Sequence, residues 1–258
     1  MAPQIHPTAI VDPGARIGEG TSVGPYAVIE EDTRIGDNCS IGPHAMIGCG
    51  TRIGNGCRIF KSAAVGLIPQ DLKFHGEKTF LRIGDNTTIR EFCTLNRGTE
   101  ARGETVIGSN CLLMAYCHVA HDCVLGDHVV IANNLAMAGH VEVGDHARIG
   151  GTVVIHQFCR IGAYAFLGVT TKVVMDILPF AMVAAEPTRI ADINKVGLER
   201  AGFDSARRRA IKRAFRTIFR RGLELDDAIE SLVHEYPDNQ DVAEIVSFVR
   251  GSSRGILR

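Results

Sequence analysis

The sequence contains no tryptophan, and aromatic side chains make up only 6% of it. A core built on large rings is therefore excluded, although 45% of the residues are hydrophobic. The chain carries 28 basic and 29 acidic residues, and this near balance argues against a general nucleic-acid-binding protein. Glycine, by contrast, is abundant at 28 residues, which indicates a core of small repeated layers.

The chain also lacks the features of a membrane or exported protein. No stretch reaches the roughly 18 consecutive apolar residues that a membrane span needs, and the longest candidate, 173–185, contains Asp176 and Pro179. The first residues show neither a basic start nor an apolar run. No Cys-x-x-Cys pair occurs among the eight cysteines. We therefore expect a protein of the reducing cytoplasm without an integral membrane segment.

Aliphatic residues recur at every sixth position from Ile5 to Val173. Of the 29 positions in this series, 26 are aliphatic, and only Asp71, Glu77 and Ala101 are not. Glycine directly follows 14 of the 29 positions. The slot four residues after the aliphatic holds small residues, including seven of the eight cysteines: Cys39, Cys57, Cys93, Cys111, Cys117, Cys123 and Cys159. We interpret these cysteines as inward-facing fillers rather than metal ligands or disulfide partners.

A period of six is neither that of an α-helix nor that of a plain strand, but six residues suffice for a short strand and a corner. Three such hexads close a triangular coil, and stacked coils pair as parallel strands about 4.8 Å apart. Glycine at the corners suits tight or positive-φ turns. The series predicts an all-β solenoid, a parallel β-helix of roughly ten coils over residues 1–186. Two loops, 69–82 and 97–106, interrupt it and leave its phase unchanged.

The hexads end near Pro187, and residues 187–258 predict an α-helical domain. Asp204 and Ser205 can cap one helix, and 223–236 has the spacing of a second amphipathic helix. The segment 207–221 has no acid and eight basic residues: Arg207, Arg208, Arg209, Lys212, Arg213, Arg216, Arg220 and Arg221. A solvated helix face or a docking surface for an acidic partner explains this run. We also expect the helices to cover the open last coil.

Histidines gather in one part of the predicted prism. With three hexads per coil, positions 121, 139 and 157 share one vertical column, and histidines flank it on both sides. The set is His118, His121, Gly139, His140, His156 and Gln157. It spans three coils, or roughly 10 Å at the spacing of parallel strands. A single histidine usually serves the structure, but four imidazoles on one patch indicate a functional site.

Such a patch suits acyl transfer. A neutral imidazole can remove the proton from a hydroxyl or amine that attacks an acyl carbon. The tetrahedral intermediate needs backbone N–H donors, and the bare Gly139 lets an acyl group approach its amide closely. Cys123 falls in the inward slot, and no serine or cysteine is placed for covalent catalysis. We therefore expect direct transfer rather than a covalent acyl-enzyme.

Particular segments carry a resemblance to a known family. They are HVAHDC at 118–123, MAGH at 137–140, IHQFC at 155–159, QDLK at 70–73, IRE at 89–91, NRGT at 96–99, GLERAGF at 197–203 and SRGILR at 253–258. Together they resemble the UDP-N-acetylglucosamine O-acyltransferases, which begin lipid A synthesis. The hexapeptide alone is shared by many transferases, but this resemblance runs along the whole chain.

The resemblance implies a left-handed β-helix and a cytoplasmic homotrimer with sites between neighbouring prisms, without a cofactor or a metal. It implies transfer of an R-3-hydroxyacyl chain from acyl carrier protein, docked on the basic tail helices, to the glucosamine 3-position of UDP-N-acetylglucosamine. By position, His121 is the general base, Asp122 orients the site and the Gly139 amide is the oxyanion donor. The residues implied for the sugar nucleotide are Asp71, Lys73, His118, His140, His156, Gln157, Asn194 and Arg200.

Three positions near the substrates concern specificity. Asn96 stands where the family often has histidine, and Val196 stands where an acidic residue often follows the asparagine. These two departures leave both a 3-hydroxyl and a 3-amino acceptor open. Val169 occupies the position that the family varies at the end of the acyl groove. Its branched side chain predicts a shorter acyl chain than glycine would admit.

Three other functions fit parts of the pattern. Three histidines from adjacent prisms can bind Zn²⁺, as in the gamma-class carbonic anhydrases, although those enzymes lack the UDP-sugar loop and the basic tail. A hexapeptide transferase acting on another UDP-amino sugar is the second alternative. A non-enzymatic scaffold is the third, and the histidine cluster and the loops argue against it.

Overall fold

The computed structural model describes residues 1–185, 187–220 and 222–258, without the side chain of Arg220. Glu186, the last residue of the predicted solenoid, and Arg221, the last of the basic run, lie outside the described residues. None of the described helices is long and apolar enough to cross a bilayer.

The chain winds into a three-sided prism whose faces are sheets of short parallel strands. The first face holds Gln4–Ile5, Ser22–Val23, Ser40–Ile41, Arg58–Ile59, Thr88–Ile89, Leu112–Leu113, Val130–Ile131, Arg148–Ile149, Phe166–Leu167, Ala181–Ala185 and Thr188–Ile193. The second face holds Ile10–Val11, Val28–Ile29, Met46–Ile47, Ala64–Leu67, Thr94–Asn96, His118–Val119, Ala136–Met137, Val154–Ile155 and Lys172–Val173. The third face holds Arg16–Ile17, Arg34–Ile35, Thr51–Ile53, Phe80–Ile83, Glu104–Ile107, Val124–Leu125, Glu142–Val143 and Arg160–Ile161.

The strand register confirms that three hexads make one coil. Val119 pairs with Met137, and Met137 pairs with Ile155, each three hexads further along the chain. Val65 pairs with Leu95 instead, five hexads further along the chain, so this coil contains two extra hexads. The extra residues form a loop between Ala64–Leu67 and Phe80–Ile83, and we call this loop the long insertion. Leu95 pairs with Val119, four hexads further along, so the next coil contains one extra hexad. It forms a loop between Thr94–Asn96 and Glu104–Ile107, and we call this loop the short insertion. Both insertions are whole hexads, which is why the phase survives them.

Both loops are shorter than the sequence indicated. The predicted loops 69–82 and 97–106 end in the strands Phe80–Ile83 and Glu104–Ile107, which pair with each other on the third face. Leu81 lies outside the six-residue series, yet it is fully buried. Its burial extends the strand backwards into the segment that was predicted as loop.

The aliphatic series forms the core as predicted. Its members are buried from Val23 onward, whereas Ile5 in the first coil is 43% exposed because no coil lies below it. The seven cysteines of the small-residue slot are all buried, and Cys49 is half-buried. All eight are free thiols. The interpretation of these cysteines as core fillers is therefore confirmed.

The corner glycines have a different role from the one predicted. The residue with positive φ lies three positions after the aliphatic and is usually not glycine, as at Asp122 (φ 60°) and His140 (φ 61°). The glycine directly after the aliphatic is needed because the next coil approaches its backbone. A Cβ on Gly36 would lie 2.5 Å from Oδ1 of Asn55 and 2.7 Å from the Gly54 carbonyl carbon.

In the described part of the tail, four helices follow the prism: α1 (Lys195–Arg200), α2 (Ser205–Arg220), α3 (Leu225–Glu235) and α4 (Gln240–Arg250). The predicted helices correspond to α2, whose Arg207 N–H donates to Oδ1 of Asp204 at 2.8 Å, and to α3. Helices α1 and α4 are additional. The predicted division after residue 186 falls between the strands Ala181–Ala185 and Thr188–Ile193, which pair antiparallel. The tail therefore starts as an extension of the first face.

The segment that follows α4 pairs with the last coil, where the helices themselves were expected. Asp176 at the end of the prism donates its N–H to the Gly255 carbonyl at 2.9 Å and accepts at its own carbonyl from the Leu257 N–H at 2.8 Å. Its Oδ2 also accepts from the Ser252 hydroxyl at 2.7 Å. The C-terminal segment thus occupies strand-edge groups that would otherwise be unpaired.

Candidate active site

The histidine cluster lies at the edge where the chain passes from the second face to the third. Three successive coils turn this corner at residues 120–123, 138–141 and 156–159. His140 donates its N–H to the His121 carbonyl at 3.1 Å, and Phe158 donates to the Gly139 carbonyl at 3.2 Å. The coil spacing therefore stacks the predicted residues as expected. We call this edge the catalytic edge.

His121 and Asp122 form a hydrogen-bonded dyad. Nδ1 of His121 lies 2.8 Å from Oδ2 of Asp122. Asp122 is fully buried, and burial alone would raise the pKa of its carboxyl, but hydrogen bonds from Thr99 and His121 hold that pKa below its usual value. The ionised carboxylate can only accept, so in the neutral tautomer of His121 the proton is on Nδ1 and the lone pair is on Nε2.

Thr99 supplies two of the bonds to Asp122. Its N–H donates to Oδ1 at 2.9 Å and its hydroxyl donates to Oδ2 at 2.6 Å. The N–H of Asp122 itself donates to Oγ1 of Thr105 at 2.8 Å. Sequence reasoning missed Thr99 as a site residue, although it ends the NRGT segment. Its loop position gave no signal that it returns to a carboxylate on the following coil.

Two further imidazoles flank the dyad. The ring of His140 meets that of His121 edge-on at 5.1 Å, stacks on Phe158 at 4.5 Å, and places Nε2 3.7 Å from Oδ2 of Asp122. His118 shares a 2.7 Å hydrogen bond with Oγ1 of Thr94. Burial lowers the pKa of both His118 and His140. Both rings are therefore neutral at neutral pH and can donate or accept.

Gly139 leaves room for the His121 ring. A Cβ at this position would lie 2.6 Å from Cε1 and 2.8 Å from Nε2 of His121, closer than real atoms approach. Within the described part of the chain, no group accepts a hydrogen bond from the Gly139 N–H. The residue thus leaves a backbone donor open beside the imidazole of His121.

The long insertion covers the dyad. Oδ2 of Asp71 lies 3.9 Å from Nε2 of His121, too far for a direct hydrogen bond. Oδ1 of Asp71 accepts from the N–H of Lys73 at 3.0 Å, and the Lys73 side chain is exposed. His156 and Gln157 lie one coil further along the catalytic edge, and both are exposed. The structure therefore brings the long insertion and the histidine cluster together.

Asn194 and Arg200 lie elsewhere in the chain. They line a cleft of about 1030 Å³ between the first face and α1, across the prism from the catalytic edge. Oδ1 of Asn194 caps α1 by accepting from the Gly197 N–H at 3.1 Å, and its Nδ2 donates to the Tyr164 carbonyl at 2.9 Å. Arg200 is exposed. One chain does not unite these two residues with His121.

The three specificity positions are separated as well. Val169 is 63% exposed at the corner between the first and second faces, directly above Gly150, which lines the cleft. Val196, also in the cleft, is 59% exposed. Asn96 is buried under the long insertion, where its Nδ2 donates to the Ile68 carbonyl at 2.9 Å.

The dyad also contains potential metal ligands. One donor atom each from His121, Asp122 and His140 lies within 4.8 Å of the others. Zinc accepts such nitrogen and oxygen ligands. The same nitrogen and oxygen atoms would also serve a general base that is oriented by a hydrogen bond. This donor set is therefore compatible with both a zinc site and a general base.

Two family models match the chain. One, described as Udp N-acetylglucosamine O-acyltransferase, Domain 2, matches residues 176–257, and the bacterial transferase hexapeptide model (six repeats) matches 32–59 and 104–139. The acyl-[acyl-carrier-protein]–UDP-N-acetylglucosamine O-acyltransferase of Halorhodospira halophila is 52% identical over 256 residues, 99% of each chain. That of Alkalilimnicola ehrlichii is 48% identical over the same length and share. The solved UDP-N-acetylglucosamine acyltransferase of Bacteroides fragilis is 42% identical, with a TM-score of 0.96 over 99% of this chain and all of that one.

The prism of six-residue units and the match to the bacterial transferase hexapeptide model place the chain among the hexapeptide-repeat transferases. Within that class, the full-length identities settle the family. The chain belongs to the acyl-[acyl-carrier-protein]–UDP-N-acetylglucosamine O-acyltransferases. The resemblance drawn from the motifs is confirmed, as is the left-handed β-helix with a helical C-terminal region.

Proposed function

We propose that the protein transfers an R-3-hydroxyacyl group from acyl carrier protein to the glucosamine 3-position of UDP-N-acetylglucosamine, the first step of lipid A synthesis. The observation that carries this proposal is the His121–Asp122 dyad beside the open Gly139 N–H, in a chain of this family. The relatives are named for the same donor and acceptor.

His121 acts as the general base. Asp122 holds the proton on Nδ1, so Nε2 faces the 3.9 Å space between His121 and Asp71 with a free lone pair. A sugar hydroxyl in that space donates to Nε2, and Asp71 accepts from a neighbouring group of the sugar. A base matched to the working pH contributes roughly 10² to 10⁴ in rate.

The transfer is direct. The acceptor oxygen bonds to the thioester carbonyl carbon while its proton passes to Nε2, and the Gly139 N–H donates to the oxyanion. Collapse of the intermediate breaks the carbon–sulfur bond, and the proton passes from His121 to the departing thiolate. Cys123 is not an alternative nucleophile, because it is fully buried, donates to the Ala138 carbonyl, and burial raises its pKa to about 12.

Each complete site uses two chains of a homotrimer. The cleft with Asn194 and Arg200 lies across the prism from His121, so the catalytic edge of one copy must meet the cleft of the next. Exposed apolar side chains on the two faces that would meet support this arrangement: Val154 on the second face is 44% exposed, and Phe166 on the first face is 37% exposed. A closed ring of three copies repeats that contact three times.

In this arrangement, the sugar end of the substrate lies among Asp71, Lys73, His118 and His140, beside His156 and Gln157. Arg200 of the next copy contacts the diphosphate, where a guanidinium suits paired phosphate oxygens. Asn194 presents an amide already oriented by its bond to Tyr164.

Mixing two inactive variants tests the shared site. We expect His121→Ala and Arg200→Ala to be inactive separately. Random assembly of an equal mixture should restore about a quarter of all sites, or one site in three in each mixed trimer, because it places one intact half beside the other. Native mass spectrometry verifies the mixed trimers. Verified mixed trimers without recovered activity would contradict a site made from two chains.

The acyl carrier protein docks on the cationic pocket beside α2. This pocket of about 250 Å³ is lined by Ile193, Lys195, Ser205, Arg208, Arg209 and Lys212, and it shares Ile193 and Lys195 with the cleft. An apolar floor under a cationic rim fits an acidic helix with an apolar side chain, and the shared wall lets the prosthetic arm enter the cleft.

Charge reversal tests this docking surface. We expect Arg208→Glu with Arg209→Glu to raise KM for the acylated carrier and to weaken its salt dependence, because rim charges steer association. The matched control is Arg34→Glu on the third face, an exposed arginine far from the pocket. Equal effects of both changes would place the carrier elsewhere.

Val169 limits the acyl chain from the corner beside the cleft. We expect Val169→Gly to shift preference toward longer chains in an acyl-length panel, because it removes a branched side chain next to Gly150. An unchanged preference would remove Val169 from the groove.

The free thiols of the core agree with a reducing compartment, and we propose the cytoplasm.

One assay tests the reaction itself. Purified protein is given R-3-hydroxyacyl carrier protein and either UDP-N-acetylglucosamine or its 3-amino analogue. We expect the ester product and a higher kcat/KM for the hydroxyl acceptor. Preference for the amine would reassign the acceptor, and a stoichiometric zinc ion essential for activity would favour the metal use of His121, Asp122 and His140.

A further inference from the structure

Thr99 and Asp122 meet only because of the short insertion. Thr99 lies in this insertion, between Thr94–Asn96 and Glu104–Ile107, and Asp122 lies on the following coil. Both side chains are buried, with Thr99 8% and Asp122 0% exposed. Both donors of Thr99, the N–H at 2.9 Å and the hydroxyl at 2.6 Å, are used on the two oxygens of this one carboxylate.

Two imidazoles, those of His121 and His140, lie near the same oxygen of the Asp122 carboxylate. Oδ2 accepts from Nδ1 of His121 at 2.8 Å, and Nε2 of His140 lies only 3.7 Å from the same oxygen. A small rotation of Asp122 would exchange one partner for the other. The Thr99 hydroxyl approaches Oδ2 as well, and its N–H fixes Oδ1, so the carboxylate cannot rotate without losing a charge-assisted bond.

The short insertion is itself pinned. Gly98 donates its N–H to the Phe80 carbonyl at 3.0 Å, and Gly103 donates to the Thr99 carbonyl at 2.7 Å. Nη1 of Arg97 donates to the Cys49 carbonyl at 3.0 Å. A Cβ on Gly98 would lie 2.4 Å from the Glu104 nitrogen, so the chain passes here without room for a side chain. The position of Thr99 is therefore set by several contacts outside the dyad.

We propose that Thr99 is a positioning residue for the general base: its N–H and hydroxyl hold Asp122 in the orientation that directs it to His121 and not to His140. The proposal rests on the proposed role of His121. It gives the short insertion a chemical purpose, which is to bring a double donor to a buried carboxylate from outside the prism.

Removal of the hydroxyl tests the proposal. We expect Thr99→Val to lower kcat about 10- to 100-fold, the equivalent of one hydrogen bond to a charged group, with little change in KM for either substrate. Thr99→Ser retains both donors and should recover most of the rate. The matched control is Thr87→Val, because Thr87 is also buried and its hydroxyl also donates a hydrogen bond, but to the Gly108 backbone carbonyl at 2.8 Å and not to a carboxylate.

Two readouts separate positioning from a general loss of structure. With fewer donors, the Asp122 carboxylate attracts the His121 proton more strongly, so the acid limb of kcat/KM should move to higher pH in Thr99→Val. In an Asp122→Asn background, Thr99→Val should cost no further rate, because it acts through that carboxylate. Thermal melting and size exclusion check the fold, and Thr99→Ala replaces Thr99→Val if the latter does not assemble.

The outcomes are distinct. Equal rates for Thr99→Val and Thr87→Val, or full additivity with Asp122→Asn, would overturn the role of Thr99 while leaving the base in place. An active His121→Ala enzyme in the same series would overturn the proposed function instead.

Discussion

The catalytic edge and the edge that follows the third face have the same backbone and similar rings. On the catalytic edge, His140 stacks on Phe158 at 4.5 Å. On the other edge, His146 stacks on Tyr164 at 4.6 Å and on His128 at 4.6 Å. Every one of these ring-bearing residues has a positive φ. Stacked imidazoles at a left-handed corner are therefore a feature of the fold, and they do not by themselves identify a site.

The backbone amides distinguish the two edges. On the edge after the third face, the N–H two residues past the aliphatic is accepted by a side chain of the next coil, in an unbroken series: Glu19 to Asp37, Asp37 to Asn55, Asn55 to Asp85, Asp85 to Ser109, Ser109 to Asp127 and Asp127 to Asp145. On the catalytic edge the same repeat position holds His121 and Gly139. One edge uses this position to join coils, and the other places there the imidazole that we propose as the base and an open N–H donor.

The largest effect is expected from reversing the hydrogen bond of the dyad. Asp122→Asn can present an N–H to His121, which favours the proton on Nε2 and removes the free lone pair. We expect kcat to fall roughly 10² to 10⁴-fold, the usual contribution of a general base. Steady-state kinetics with a melting curve checks this result, and near-full turnover by a folded variant would exclude the dyad from the chemistry.

A pair of glycine changes sharpens the comparison. In Gly139→Ala the new Cβ meets the His121 ring, which can move, so we expect a loss of kcat with little change in Tm. In Gly144→Ala, at the other edge, it lies 2.5 Å from the Ala163 backbone nitrogen, so the backbone must shift at a cost of about 1–3 kcal/mol. Loss of stability in both, without a selective loss of rate in Gly139→Ala, would contradict the contrast.

The smallest effect concerns pH and stability. Burial, and then the nearby His128, lowers the pKa of His146. The unfolded chain therefore binds the proton more readily, and stability falls as pH drops below the ordinary histidine value of about 6.5. We expect His146→Phe to flatten the fall of Tm between pH 8 and 5.5 by no more than ~2–4 °C, the change that about 1 kcal/mol produces at this size. An unchanged slope would show that His146 is not its source.

The periodicity of the sequence predicted most of the prism and the catalytic edge. The hexad acts locally, since each aliphatic residue needs only the core beneath it, so the coil of three hexads and the stacking of His121, Gly139 and His140 follow from spacing alone. The glycines were predicted to serve positive-φ turns, because turn propensity is a local property of the sequence. Their actual role depends on how closely the next coil approaches, and turn propensity does not report that distance.

Contacts that depend on the path of a loop could not be predicted from the repeat in the same way. Thr99 reaches Asp122 through an insertion whose path is set by Phe80, Cys49 and Glu104 and not by a repeat. Asn194 and Arg200 were grouped with His121 by resemblance, and the single chain places them across the prism. Helix α4 carries an apolar stripe of Val242, Ile245, Val246 and Val249, a helical spacing that would have predicted it.

The most direct measurement compares His121 with His128, a histidine of the edge that follows the third face. His121→Ala and His128→Ala are assayed for turnover with R-3-hydroxyacyl carrier protein and UDP-N-acetylglucosamine, and each is checked for Tm and oligomeric mass. We expect His121→Ala to lose transfer while melting like the parent, and His128→Ala to retain near-full turnover. A folded His121→Ala enzyme that turns over as fast as His128→Ala would contradict the assignment of the base to the catalytic edge.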